Sequence, residues 1–338
     1  MFIPLKFMMA HARENGYSIS RFAVTNLESI EAVTQAAEIS GSPIVYDIYE
    51  PELQNVCQSC LEFLIKKLGS ETSAPVAIFS DHVQEVEKCK EIINKGYSGL
   101  MVDASRYSFE ENVKITREVV AYAHRYGVFV EGELGIIESG REGDDTGKLE
   151  LTDPELSRDF IQRTNVDCLA VSIGVKSGFY HGTPDIDYEL LKRIKSRTDI
   201  HLSLHGCSGL SEDIIKRCVA EGVSFTAWAT DIRYVFFEKI DEIRKEKGRE
   251  YVIPGNILIP ARDKMKDEII NKLRQGGSAG KGNEIVSLYK DQANFDLSNK
   301  SYSGQVCPGI EEIDINNLVK TITQVVLKEI KDSERKLL

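Results

Sequence analysis

The sequence predicts an α/β fold, a (β/α)8 TIM barrel with a C-terminal extension. Three observations predict it: eight short apolar runs, amphipathic stretches between them, and polar residues where the runs end. Residues 21–26 (RFAVTN), 44–49 (IVYDIY), 76–81 (VAIFSD) and 99–103 (GLMVD) form the first four strand candidates. Residues 129–134 (FVEGEL), 168–174 (CLAVSIG), 201–206 (HLSLHG) and 224–230 (SFTAWAT) form the rest. Most carry β-branched or aromatic side chains. Between them, residues 110–126 set Val113, Ile115, Val119, Val120 and Ala123 largely on one helical face. Helix starts are signalled at Thr152-Asp-Pro-Glu and at Ser211-Glu-Asp, where a capping or acidic residue precedes an apolar periodic run. Strands alternating with helices imply a parallel sheet, and eight repeats can close it.

A chain of 338 residues is compatible with one barrel over residues 1–281 and an extension over 282–338. The net charge of −11 argues against nucleic acid or an anionic membrane as partner and leaves small molecules as the expected ligands. No apolar run approaches the roughly 18 residues of a membrane span, and the N-terminal segment turns polar too early for a secretory signal, so a cytoplasmic location is expected. Seven cysteines show no paired metal spacing. Cys57 and Cys60 lie in a helical-looking stretch with no second pair and read as buried or incidental thiols.

The polar residues gather at one end of the strand candidates. Asn26 follows the first, Asp81 and His82 the third, Asp103 the fourth, and Glu133 lies near the end of the fifth. Lys176 and Ser177 follow the sixth, His205 and Gly206 the seventh, and Thr230 and Asp231 the eighth. Each alone reads as a cap or loop residue; their recurrence at one edge reads as an active site, because the carboxyl ends of barrel strands carry the chemistry.

The runs SDH (80–82), VDAS (102–105), EGELG (131–135), SIGVKSGFYHG (172–182), LHGCSG (204–209) and ATDIR (229–233) resemble the class II, metal-dependent ketose-bisphosphate aldolases. PARDKM (260–265) and GSAGK (277–281) resemble that family's closing segment, so the resemblance covers residues 1–281. It implies a lyase that breaks or makes a carbon–carbon bond in a phosphorylated sugar-like carbonyl compound, with Asp81 moving protons and with His82 and His205 holding Zn2+ or another divalent cation. Gly178, Gly206, Ser208, Thr230 and Asp231 match its phosphate and substrate positions, and Glu133 and Asp103 match positions that hold a second or transient cation.

Departures from that pattern leave three readings open. Ser177 stands where the family has its third histidine, and a hydroxyl is a poor zinc ligand beside imidazole. Tyr49 replaces a serine, and Ala227 and Ala229 replace asparagines. In the first reading His82 and His205 keep a metal with Glu133 or His181 as third ligand. In the second no metal is needed, because Lys176 forms a Schiff base with the substrate. The third is a non-catalytic sugar-phosphate-binding protein. The glycine-flanked loop 138–148 follows the fifth strand, where the resembled family has a mobile loop whose acidic residue assists proton transfer, and the resemblance implies Glu142 or Asp144 for that role. In the extension, Leu318, Ile322, Val325, Val326 and Ile330 have helical spacing, so the stripe should pack on the barrel or on a partner subunit, the latter giving a homodimer.

Overall fold

A computed structural model describes residues 1–136, 150–176, 178, 180, 182, 184–248 and 250–300, without the side chains of Asn55 and 293–300. The loop carrying Glu142 and Asp144, the positions Ser177 and His181, and the apolar stripe beginning at Leu318 lie outside the described residues. Eight parallel strands close into a barrel in sequence order: β1 (Ile19–Ala23), β2 (Ile44–Tyr49), β3 (Val76–Val83), β4 (Gly99–Val102), β5 (Phe129–Leu134), β6 (Cys168–Val171), β7 (His201–Leu204) and β8 (Val223–Trp228). The barrel of the sequence reading is therefore present, with strand ends displaced by up to three residues.

Helix α1 (Leu5–Glu14) precedes the barrel, and α2 (Leu27–Ser40), α3 (Gln58–Glu71), α4 (Val86–Asn94), α5 (Phe109–Ala123), α6 (Pro154–Thr164), α7 (Tyr188–Arg197) and α8 (Glu212–Ala220) connect its strands. Then α9 (Thr230–Lys247), α10 (Pro254–Gln275) and α11 (Gly282–Lys300) follow β8. One compact unit runs from Met1 to Tyr289 and a second from Lys290 to Leu338. Among the described residues no helix is long and apolar enough to cross a membrane.

The caps explain several helix starts. Ser211 accepts from the Ile214 amide as the sequence suggests. At α6 the cap is Asp153, whose carboxylate takes the Glu155 and Leu156 amides, while Thr152 ties the Leu134 carbonyl to the Ser172 amide. Asn26 is spent on a capping box with Ser29 at the start of α2, so it belongs to the helix and not to the ring of polar residues at the barrel mouth.

Two apolar clusters hold the barrel. The larger lies between strands and helices. The smaller fills the barrel from below: Ile19, Val45, Phe79, Met101, Phe129, Cys168 and Phe225 point inward and meet Ile3, Leu5, Met8 and Met9 from the N-terminal segment and α1. Side chains alternate along a strand, so the inward parity that puts Phe79, Phe129 and Phe225 in this plug also directs Asp81, Glu131 and Ala227 into the barrel two residues later. The lower half is thus apolar and the upper half charged. The backbone at Gly206 completes the mouth: its φ is +62°, and a Cβ there would lie 2.4 Å from the Lys176 carbonyl oxygen, so only glycine lets the loops after β6 and β7 touch.

Candidate active site

At the barrel mouth, a cavity of about 440 Å³ is lined by Asp47, Tyr49, Asp81, His82, His205 and Trp228 among others. Gly178, Gly206, Ser208 and Thr230 form part of its wall. Asp81 and His82 are consecutive in β3, and consecutive strand residues ordinarily point to opposite faces. Here the β3–β4 register shifts between Ser80 and Val83, and His82 has a φ of +54°. This bulge turns the imidazole into the site beside its neighbour, and a left-handed non-glycine residue at such a position is backbone strain held by the surrounding fold.

Both histidines are oriented by buried carboxylates. His82 Nδ1 lies 2.9 Å from Asp103 Oδ2, and Ser105 donates its hydroxyl to the other oxygen of that carboxylate at 2.7 Å. His205 Nε2 lies 2.7 Å from Glu131 Oε1. A ring N–H given to a carboxylate leaves the opposite nitrogen as a lone-pair donor, Nε2 in His82 and Nδ1 in His205. Asp81, His82 and His205 each offer a ligand atom, all within 4.8 Å of one another. Glu133 converges instead with His82 and Asp103, in a second group on the same criterion. The structure thus brings Asp81 in with the two histidines and sets Glu133 on the far side of His82.

Beneath these groups lies Arg21, on β1. It is fully buried and stacked over Phe79 and Phe225, with its guanidinium carbon 4.6 and 4.8 Å from the ring centroids. Its Nη2 is 3.2 Å from Asp81 Oδ1 and 3.3 Å from Glu131 Oε1, and its Nε is 3.8 Å from Asp47 Oδ2. The same Nη2 sits 2.5 Å from His205 Nε2. Arginine only donates, so this ring nitrogen either accepts from Arg21 or donates to Glu131, and the two tautomers compete.

The charges follow from this packing. Burial raises the Asp81 pKa, but Arg21, His82 and His205 outweigh it and hold the carboxyl below the usual carboxylate range. Burial raises Asp47 well above that range, with Asp81 adding to the effect. Burial lowers the His82 pKa, yet Asp81, the hydrogen bond to Asp103 and Glu133 together push it up to about 10. Burial and Arg21 lower His205, which is neutral at neutral pH. Four carboxylates (Asp81, Asp103, Glu131, Glu133) and the Asp47 carboxyl group therefore gather around one guanidinium and two imidazoles. Buried charge must be balanced, and Glu131 Oε2 has no hydrogen bond. The donor set fits a divalent cation, which competes with the proton for His82 Nε2.

The remaining expected residues are placed as follows. Lys176 is not among the described residues lining the cavity; its amide donates to the Tyr180 hydroxyl, which donates to the Gly206 carbonyl. Thr230 opens α9 on the cavity wall. Asp231 does not line it: its carboxylate takes the Gly209 amide at 3.0 Å and pairs with Lys272 of α10 at 2.7 Å. Ser208 Oγ accepts from the Ala229 and Asp231 amides, tying the loops after β7 and β8 together. Arg233 and Glu52 close the rim by a two-pronged ion pair at 2.6 and 2.8 Å.

Sequence reasoning missed Arg21, Asp47 and Glu131. Parity could have found them: Glu131 has the same facing as Glu133, and a charged residue inside a strand buried on both faces must have partners within the barrel.

A family description of class II fructose-bisphosphate aldolase matches residues 3–281. The fructose-bisphosphate aldolase of Geobacillus stearothermophilus is 35% identical over 283 residues, covering 82% of this chain and 98% of that protein. That of Staphylococcus epidermidis is 30% identical over 285 residues, with the same coverage of both. Among solved structures, the crystal structure of the YdjI aldolase from Escherichia coli K12 superposes with a TM-score of 0.73 at 26% identity, covering 83% of this chain and all of that one.

Proposed function

The chain belongs to the class II fructose-bisphosphate aldolase family, and from this premise we propose that it is a lyase cleaving or forming a carbon–carbon bond in a phosphorylated ketose. The observation that carries the proposal is the pair of carboxylate-braced histidines, His82 on Asp103 and His205 on Glu131, converging with Asp81 at the mouth of the barrel. We assign His82 and His205 as ligands of a divalent cation, zinc by family likeness, with Asp81 beside them. Such a cation polarises the oxygens of the substrate and stabilises the negative charge that develops as the bond breaks.

The residues of the chain supply the rest. Asp81 is ionised at neutral pH and lines the cavity, so it takes the proton from the hydroxyl beside the breaking bond and returns a proton to the carbon left electron-rich. Arg21 keeps that carboxylate charged and fixed. The substrate phosphate is assigned to the wall formed by Gly178, Gly206, Ser208 and Thr230, where α9 presents its N-terminus. Asp231 and Lys272 brace this wall from behind. Ala23, Ala227 and Ala229 make the β8–β1 side of the cavity small and apolar, which leaves the identity of the ketose to be set by shape there.

Two measurements test the assignment. In Asp103→Asn the brace on His82 loses its charge, and zinc affinity measured by competition with a chromogenic chelator should fall about 10- to 100-fold. An unchanged affinity would remove His82 from the ligand set. Lys176→Met should retain turnover, and chelation should abolish it in both proteins. Loss of activity in this variant together with loss of borohydride trapping would instead establish a Schiff base. Tight binding of sugar phosphates without turnover of any ketose phosphate would make the protein a sensor.

A further inference from the structure

Of the two sequence readings of Cys57 and Cys60, buried or incidental thiols, the structure excludes burial: both are exposed, whereas Cys89, Cys168, Cys207 and Cys218 are buried. Cys57 is the N-cap of the 14-residue helix α3, and Cys60 sits in its first turn, so the two share one helix face. Three residues apart across the helix start, the two thiols are neighbours, and Ser59 Oγ lies 3.6 Å from Cys57 Sγ. We propose that Cys57 and Cys60 form a redox-active dithiol that exchanges with small-molecule or protein disulfides. Cys57 is the attacking thiol and Cys60 the resolving one.

The division of roles follows from the geometry. The neighbouring Cys60 thiol, and after it Ser59, lower the Cys57 pKa, while Cys57 raises that of Cys60. The unpaired amides of a helix N-terminus favour a thiolate there. In the exchange, the Cys57 thiolate attacks one sulfur of the incoming disulfide and expels the other as a thiolate. The Cys60 thiolate then attacks Cys57 Sγ, closing the internal disulfide and releasing the second small thiol. Two protein thiols lose two electrons and two protons, and one external disulfide gains them. The buried cysteines take no part, since burial raises their pKa and blocks access. The pair follows directly on the 3-10 helix Glu50–Asn55, which supplies Pro51, Glu52 and Gln54 to the cavity wall. The dithiol does not itself line that cavity.

The test uses the full chain in a glutathione and glutathione-disulfide buffer, read by intact mass and peptide mapping. The wild-type protein is expected to lose two hydrogens from the peptide containing both cysteines and to regain them with dithiothreitol. Cys60→Ser should stop at a glutathione adduct on Cys57. Cys57→Ser should form an adduct on Cys60 more slowly than Cys60→Ser forms one on Cys57, and the reverse order would exchange the two roles. Both positions are exposed, so these variants are expected to fold, and circular dichroism verifies it. The proposal is overturned if wild-type thiols persist in the buffer, if the adduct on Cys57 never closes, or if the disulfide forms between two chains.

Discussion

Asp81→Asn should lower turnover of a ketose phosphate by about two to four orders of magnitude while leaving ligand binding in place. The carboxylate lines the cavity and lies 3.2 Å from the Arg21 guanidinium, which keeps it ionised and ready to accept a proton. Asparagine matches its size but has no basic oxygen, so only the proton transfer is lost. Steady-state kinetics gives the change in kcat, and calorimetry with the same ketose phosphate gives the binding. A variant with undiminished kcat would end the assignment of Asp81 as acid and base. A variant that no longer binds would make the residue structural.

Arg21→Met should reduce folding stability by about 3–5 kcal/mol, the usual cost of removing one partner from a buried ion pair. Methionine fills much of the same space between Phe79 and Phe225. It leaves Asp81 and Glu131, both buried, without their cation. Asp47 contributes less, because its raised pKa favours the neutral form already. Urea unfolding in the presence of a chelator measures the difference. A loss below about 1 kcal/mol would place Arg21 among ordinary surface-like substitutions and deny it a role in holding the site's charge. Arg21→Lys keeps the charge but not the flat stacking, and should fall between the two.

Much of the fold is written locally. The runs 44–49 and 129–134 coincide with β2 and β5 because β-branched and aromatic residues bounded by polar ones specify a buried strand whatever surrounds them. Strand ends are less legible. Residues 168–174 stop pairing at Val171, and the following Ser172 is held by Thr152 instead of by a neighbouring strand. A side chain about twenty positions away decides that end, and no local pattern contains it. Likewise Cys57 and Cys60 read as buried or incidental thiols, and only the packing of α3 decides that both are exposed.

The site divides along the same line. Sequence by itself determined which residue types reach the barrel mouth, because alternation along each strand and the repeat of strand and helix fix the facing of Asp81, Glu133 and His205 before any contact is known. Only the tertiary structure decided how those groups pair. His82 enters the site through a bulge and a left-handed backbone that periodicity would have turned outward. Asp103 becomes a brace on His82, and Asp231 a brace on Lys272, because barrel closure brings each within hydrogen-bonding distance of a ring N–H or a cation. Arg21 reaches Asp47, Asp81, Glu131 and His205 from β1. The physical reason is that the energy of a buried charge depends on the distance and alignment of partners from several strands, and barrel closure sets these.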